Sequence, residues 1–152
     1  MALSRSFTPD LVIKNLDGDP IAVVEVKGGT NVSADFAIEI RRNTLESGLP
    51  RHIPYFLVLS QDVGYLWKDS EENNSGTSPT YEFPMNKVIR RYSTKEPSQR
   101  LFETELEFVM LQWLTNLSTK PQEAIDEPEK TLARAGFSDA IKEAMVLIEE
   151  KL

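Results

Sequence analysis

An Asp17-Gly18 pair stands between two runs rich in Val, Ile and Leu, residues 9–15 and 20–27, and no other feature restricts the fold of this chain so tightly. Asp-Gly between such runs is the strongest short-range hairpin signal, because Gly tolerates the positive φ a tight turn demands. The runs are expected to pair as antiparallel strands. With the turn centred on Asp17 and Gly18, Val12 faces Val23, Lys14 faces Ile21 and Asp10 faces Glu25. Side chains alternate with period two, so Asp10, Glu25 and Lys27 share one face, and Leu11, Ile13, Ala22, Val24 and Val26 line the other. Directly opposed acids repel by roughly 0.2–1 kcal/mol unless a cation or a nearby lysine neutralises them. Mg²⁺ is suited to that role, since it takes one or two carboxylates together with waters and phosphate oxygens. The same residues also read as ordinary surface charge at a hairpin end.

The remaining elements follow from periodicity and punctuation. Ser33 is expected to cap a helix running to about Ser47, with Gly48 just past its end and Pro50 beyond. Phe36, Ala37, Ile40, Thr44 and Leu45 form its expected buried stripe. Arg41 and Arg42 lie elsewhere on it, where two guanidiniums suit phosphates or, equally, pairing with Asp35, Glu39 or Glu46. Residues 54–60 suit a strand buried on both faces, and a turn over 61–64 leads to a return strand at 65–68. Residues 69–80 lack apolar periodicity and read as a mobile loop. Arg90 and Arg91, between Tyr81 and Tyr92, form a mixture that suits a nucleic-acid strand without being a signature. From Gln99 to Leu117, Phe102, Leu106, Val109, Met110, Trp113, Leu114 and Leu117 recur at three and four, which predicts an amphipathic helix. Its acids Glu103, Glu105 and Glu107 are candidates for a supplementary metal ligand, with nothing to choose among them. Pro121 and Pro128 punctuate the next stretch, a short helix is expected up to Gly136, and residues 138–151 read as a last amphipathic helix through Ile141, Ala144, Leu147 and Ile148.

With 152 residues, 40% hydrophobic and 27% charged, the chain fits one domain with a real core, which we expect over 8–117 with a helical extension over 121–152. No run of 18 apolar residues and no leader pattern is read, so no membrane association and a cytoplasmic location are expected. There is no cysteine, and His52 is the single histidine, which leaves carboxylates as ligands and favours Mg²⁺ or Mn²⁺.

At Pro9-Asp10 and Glu25-Val26-Lys27 the chain resembles the PD-(D/E)xK superfamily of restriction-endonuclease-like nucleases. The run PIAVVEVK is similar to the corresponding strand in the N-terminal nuclease domains of type I restriction subunits, and residues 8–68 resemble small uncharacterised bacterial endonuclease-like proteins. The resemblance implies an α/β (α+β) fold with a restriction-endonuclease-like mixed sheet flanked by helices. It implies catalytic Asp10, Glu25 and Lys27, with Asp10, Glu25 and the Val26 carbonyl on the metal and Lys27 orienting the water. Members usually open with a helix, often carrying another acid, and a strand before the PD strand. Only nine residues precede Asp10 here, so that opening is expected to be missing, with the 99–117 helix as the candidate to cover its place.

Two functions stay open: a metal-dependent endonuclease acting on DNA, and a catalytically inactive nuclease-like subunit serving nucleic-acid binding or scaffolding. A net charge of −7 weighs against tight autonomous duplex binding, because duplex affinity comes largely from Lys and Arg on phosphates. It suits a chain that draws on a protein partner or a second copy through its C-terminal helices. No Gly-rich phosphate loop and no nucleophile with its base support a small-molecule enzyme.

Overall fold

The computed structural model describes residues 8–47, 53–68, 77–95, 99–120 and 126–149. Strands β1 (Leu11–Lys14) and β2 (Pro20–Val26) form the expected hairpin, with Leu11 opposite Val24, Val12 opposite Val23 and Ile13 opposite Ala22. Lys14 pairs with Pro20 rather than Ile21. The cause is the turn. Asn15 N–H donates to Asp19 C=O at 2.9 Å and Gly18 N–H to Asn15 C=O at 2.9 Å, enclosing a three-residue loop with Gly18 at φ 84°. Such a loop carries its Gly as a bulge, which absorbs one residue and leaves the register beyond it as expected. The Asn15 carboxamide accepts from Asp17 N at 3.0 Å and Asp19 N at 2.9 Å, holding the loop closed.

Helix α1 (Ala34–Glu46) follows, with Ser33 as N-cap accepting from Phe36 N at 3.1 Å. Gly48 and Pro50, expected to end it, lie outside the described residues, as does His52. Strand β3 (Tyr55–Leu59) runs parallel to β2, and β4 (Val63–Lys68) returns antiparallel to β3. Residues 69–76 of the expected loop lie outside the described residues, and β5 (Tyr81–Pro84) adds to β4. Helices α2 (Asn86–Tyr92), α3 (Glu103–Thr119), α4 (Glu129–Arg134) and α5 (Phe137–Ala140) precede a last strand, β6 (Met145–Ile148). The six strands form one mixed sheet in the order β5-β4-β3-β2-β1-β6.

Alternation along the strands divides the core as the sequence predicts. Leu11, Ile13, Val24 and Val26 face α3, whose Leu106, Met110, Trp113 and Leu114 pack over them; Leu132 and Phe137 extend this layer. Val12, Val23, Phe56, Val58 and Trp67 face α1. The architecture is therefore mixed α/β, a six-stranded sheet with helices on both faces. Among the described residues, no helix is long and apolar enough to cross a membrane.

Three expectations are corrected. In α1 the buried positions are Ala37, Ile40, Arg41 and Thr44, while Phe36 is exposed and Leu45 half-buried. Phe102 is not part of the α3 stripe: it precedes the helix and is 74% exposed, and Leu101 is buried in its stead. Gln61 fixes that choice, donating to Gln99 C=O at 2.6 Å and accepting from Leu101 N at 2.8 Å. The expected 138–151 helix is only α5, after which the chain turns through Glu143 at φ 62° and residues 145–148 pair antiparallel with β1. Ile141, Ala144, Leu147 and Ile148 have helical spacing, yet the open edge of β1 offers a full ladder to MVLI, and tertiary pairing overrides a short periodic signal.

Candidate functional site

The site is built where β2 outruns β1. Odd-numbered residues at the end of β2 turn their N–H groups to β3, as Lys27 does to Leu59 C=O at 2.9 Å, so Val26 N–H points towards the β1 side. β1 begins at Leu11, and the Asp10 side chain takes the vacant acceptor position: Val26 N–H donates to Asp10 Oδ2 at 2.8 Å. The Asp10 main chain is held from the other flank, its C=O accepting from Glu149 N at 3.0 Å, just past β6. Asp10 is thereby pinned between β2 and β6.

Two further carboxyl groups meet it. Glu25, only 8% exposed, hydrogen-bonds to Asp10. Its pKa is pushed up to about 8, first by burial, then by that hydrogen bond and the charge on Asp10, with the Lys27 charge opposing the rise. Glu107 reaches Asp10 from α3. Burial comes first in pushing it up to about 7, followed by the charges of Asp10 and Glu149, a hydrogen bond to Asp10, and the charge of Glu103. A carboxyl O–H donates and a carboxylate accepts, so the raised pKa values of Glu25 and Glu107 suit both to donate to Asp10, which also accepts from Val26 N–H. Burial and the neighbouring acids both favour the neutral forms of Glu25 and Glu107, and perturbations of this kind gather at functional sites.

The sequence-predicted residues Asp10, Glu25 and Lys27 thus come together at one strand end, with Val26 between the last two. The Val26 side chain is wholly buried, and its N–H orients Asp10. Arg41 and Arg42 are not part of the cluster. Arg41 is 6% exposed on α1, its Cζ 5.4 Å from the centroid of the Trp67 ring, so it packs against β4; Arg42 is half-buried. A guanidinium stacked on indole in the protein interior is poorly placed to greet a phosphate.

Glu107 is the residue that periodicity leaves undecided. At 100° per residue, 105 and 107 sit on opposite flanks of the apolar stripe of α3, about equally displaced from it. Only the packing of α3 on the sheet distinguishes them: Glu107 faces Asp10, whereas Glu105 turns to Lys95 Nζ at 2.7 Å and accepts from Phe102 N at 3.1 Å. Asp10, Glu25 and Glu107 are the groups that could take part in holding a cation. As the side chains stand, paired through Asp10, no group of three or more His, Cys, Asp or Glu residues is arranged to hold a metal ion among the described residues. A hard divalent ion needs only one or two of these oxygens, the rest of its shell being water and substrate. No protein-family model matches the chain, and neither curated proteins nor solved structures match it.

Proposed function

We propose that this protein is a metal-dependent endonuclease that hydrolyses phosphodiester bonds of DNA. The observation that carries the reading is the Asp10 hub, where two buried or half-buried acids with raised pKa values share one carboxylate beside Lys27. Carboxyl groups forced to keep protons near neutrality are a ready site for a hard cation, which would replace those protons. The donor set is all oxygen and fits Mg²⁺ or Mn²⁺. Asp10 and Glu25 would hold the ion, the Val26 carbonyl would be a further ligand, and Glu107 the additional acid. Bound there, such an ion lowers the pKa of a water and polarises a phosphoryl oxygen. Val26 N–H keeps the Asp10 carboxylate oriented, and the Lys27 ammonium donates to the attacking water and offsets charge developing on the phosphate. In this reading the sheet is restriction-endonuclease-like, with α3 and β6 occupying the places of the helix and strand that usually precede the PD strand, and the enzyme works in the cytoplasm.

The test is cleavage of plasmid DNA with Mg²⁺ or Mn²⁺ by the wild type and by Lys27→Ala. The half-exposed Lys27 side chain makes its replacement compatible with folding, so cleavage is expected to vanish while the unfolding midpoint stays. Cleavage retained by Lys27→Ala refutes the assignment. A second reading, an inactive nuclease-like subunit for nucleic-acid binding or scaffolding, draws on the exposed Met145 and Ile148 of the edge strand β6. It predicts no cleavage by wild type under any divalent ion.

A further inference from the structure

Phe102 occupies the N-cap of α3, a position that favours Ser, Thr, Asp or Asn because their side chains accept orphan amide protons. Its ring makes no such bond and is 74% exposed, so neither capping nor burial accounts for a phenylalanine here. A single exposed aromatic is common on protein surfaces, but the surroundings of this one are not ordinary for a chain of net charge −7. The Lys95 ammonium lies 5.1 Å from the ring centroid, and it also pairs with Glu105. The exposed Arg100 extends its Nη2 over Gly29, where an added Cβ would stand 3.5 Å away. Arg90, with Lys95, Thr30, Gln61 and Asp62, lines an adjoining cleft of about 280 Å³. Arg90 is exposed and makes no ion pair or hydrogen bond among the described residues. The one acid of the cleft, Asp62, is engaged in accepting from Asn31 N at 3.0 Å.

This surface is continuous with the Asp10 cluster. Gly28 follows Lys27 directly, and a Cβ on it would stand 3.6 Å from Glu103 Cβ, so the strand end abuts the start of α3 next to Phe102. From Phe102 to Glu107 is five residues, about 7.5 Å along a helix axis. We propose that Phe102 is a stacking platform for an unpaired base, with Arg90, Lys95 and Arg100 following the phosphates, so that the chain engages single-stranded DNA beside the Asp10 cluster. The inference rests on the endonuclease reading for what lies at that cluster. A base reaches a ring face only when it is out of a duplex, and one aromatic with three cations is the kit of single-strand binders rather than of proteins that must neutralise both strands.

The experiment is fluorescence anisotropy of a labelled 12-nucleotide oligothymidylate, and of a 12-base-pair duplex, with the full chain in EDTA. Wild type should prefer the single strand. Phe102→Ala should weaken it about 5- to 150-fold, the range for loss of one base-aromatic stack, while Phe102→Trp restores it. Arg90→Ala should lower the slope of log affinity against log salt by about 0.7. Unchanged binding by Phe102→Ala, a duplex bound as tightly as the single strand, or no binding at all would each overturn the proposal. EDTA separates binding from cleavage, so single-strand binding in EDTA together with no plasmid cleavage in Mg²⁺ or Mn²⁺ sinks only the endonuclease reading. Duplex cleavage by a chain indifferent to Phe102 sinks only this one.

Discussion

Replacing Glu25 by Gln should make the protein more stable at alkaline pH and flatten its response to pH. The folded chain holds the Glu25 proton up to about pH 8, whereas the unfolded chain releases it near 4.5. Between those values the native state binds more protons than the unfolded state, so stability falls as pH rises through the window. At 1.36 kcal/mol per pH unit the span from 4.5 to about 8 corresponds to about 5 kcal/mol if Glu25 titrated alone. Glu25 is coupled to its neighbour, so part of that belongs to the pair, and the loss specific to Glu25 is at most about 5 kcal/mol. Urea denaturation in EDTA at pH 5, 6.5 and 8.5 measures it. Wild type should lose up to that much more than Glu25→Gln between pH 5 and 8.5. Glu107, raised to about 7 by burial and by Asp10, adds a slope of the same sign to both proteins. Glu105 and Asp126, lowered by Lys95 and Lys87 respectively, act below this window. Parallel pH profiles, or wild-type stability rising towards pH 8.5, would refute the account of a cluster that favours the neutral form of Glu25.

Millimolar Mn²⁺ at pH 8 should stabilise wild type by about 2.7 kcal/mol at a hundredfold excess over Kd, less at pH 5 where protons compete, and leave Asp10→Asn unmoved in a thermal-shift assay. Gly64→Ala should cost about 1–3 kcal/mol in urea denaturation, because a Cβ there would lie 2.2 Å from Cε2 of the buried Phe83 ring; an unaffected midpoint would mean the β4–β5 packing is looser than described. Glu129→Ala should cost about 2–4 kcal/mol by the same assay. It strands the Trp113 Nε1 donor, 3.0 Å from the Glu129 Oε2 that also receives Arg91 Nη2 at 2.6 Å, and a loss under 1 kcal/mol would show that water replaces the carboxylate.

What was legible in the sequence was local. Asp17-Gly18 set the hairpin and, through the two-residue alternation, put Asp10, Glu25 and Lys27 at one end, because a bulge beside the turn shifts only the last pair. Ser33 marked the start of α1 through one short-range hydrogen bond. What escaped depends on neighbours distant in sequence. Arg41 entered the core because Trp67 offers a ring face for its guanidinium, an interaction hydrophobicity does not encode. Phe102 has the spacing of the core stripe, but Gln61, far upstream, decides that Leu101 is the residue tucked in. β6 escaped because four apolar residues satisfy either period until the open edge of β1 is known. The choice among Glu103, Glu105 and Glu107 stays open in the sequence for the same reason, because it is set by where α3 rests on the sheet.

The double anchoring of Asp10 has a consequence for the order in which the molecule becomes itself. Its side chain is fastened by Val26, a close neighbour in the chain, but its backbone is fastened by Glu149, beyond β6, and Glu107 arrives with α3. During synthesis the hairpin emerges early, and its acids stand without Glu107 until α3 follows and without the second brace until β6 does. The cluster is therefore complete only once α3 and β6 have both docked. A nascent chain stopped before β6 should carry Asp10, Glu25 and Lys27 in full and yet leave the Asp10 backbone without its second brace.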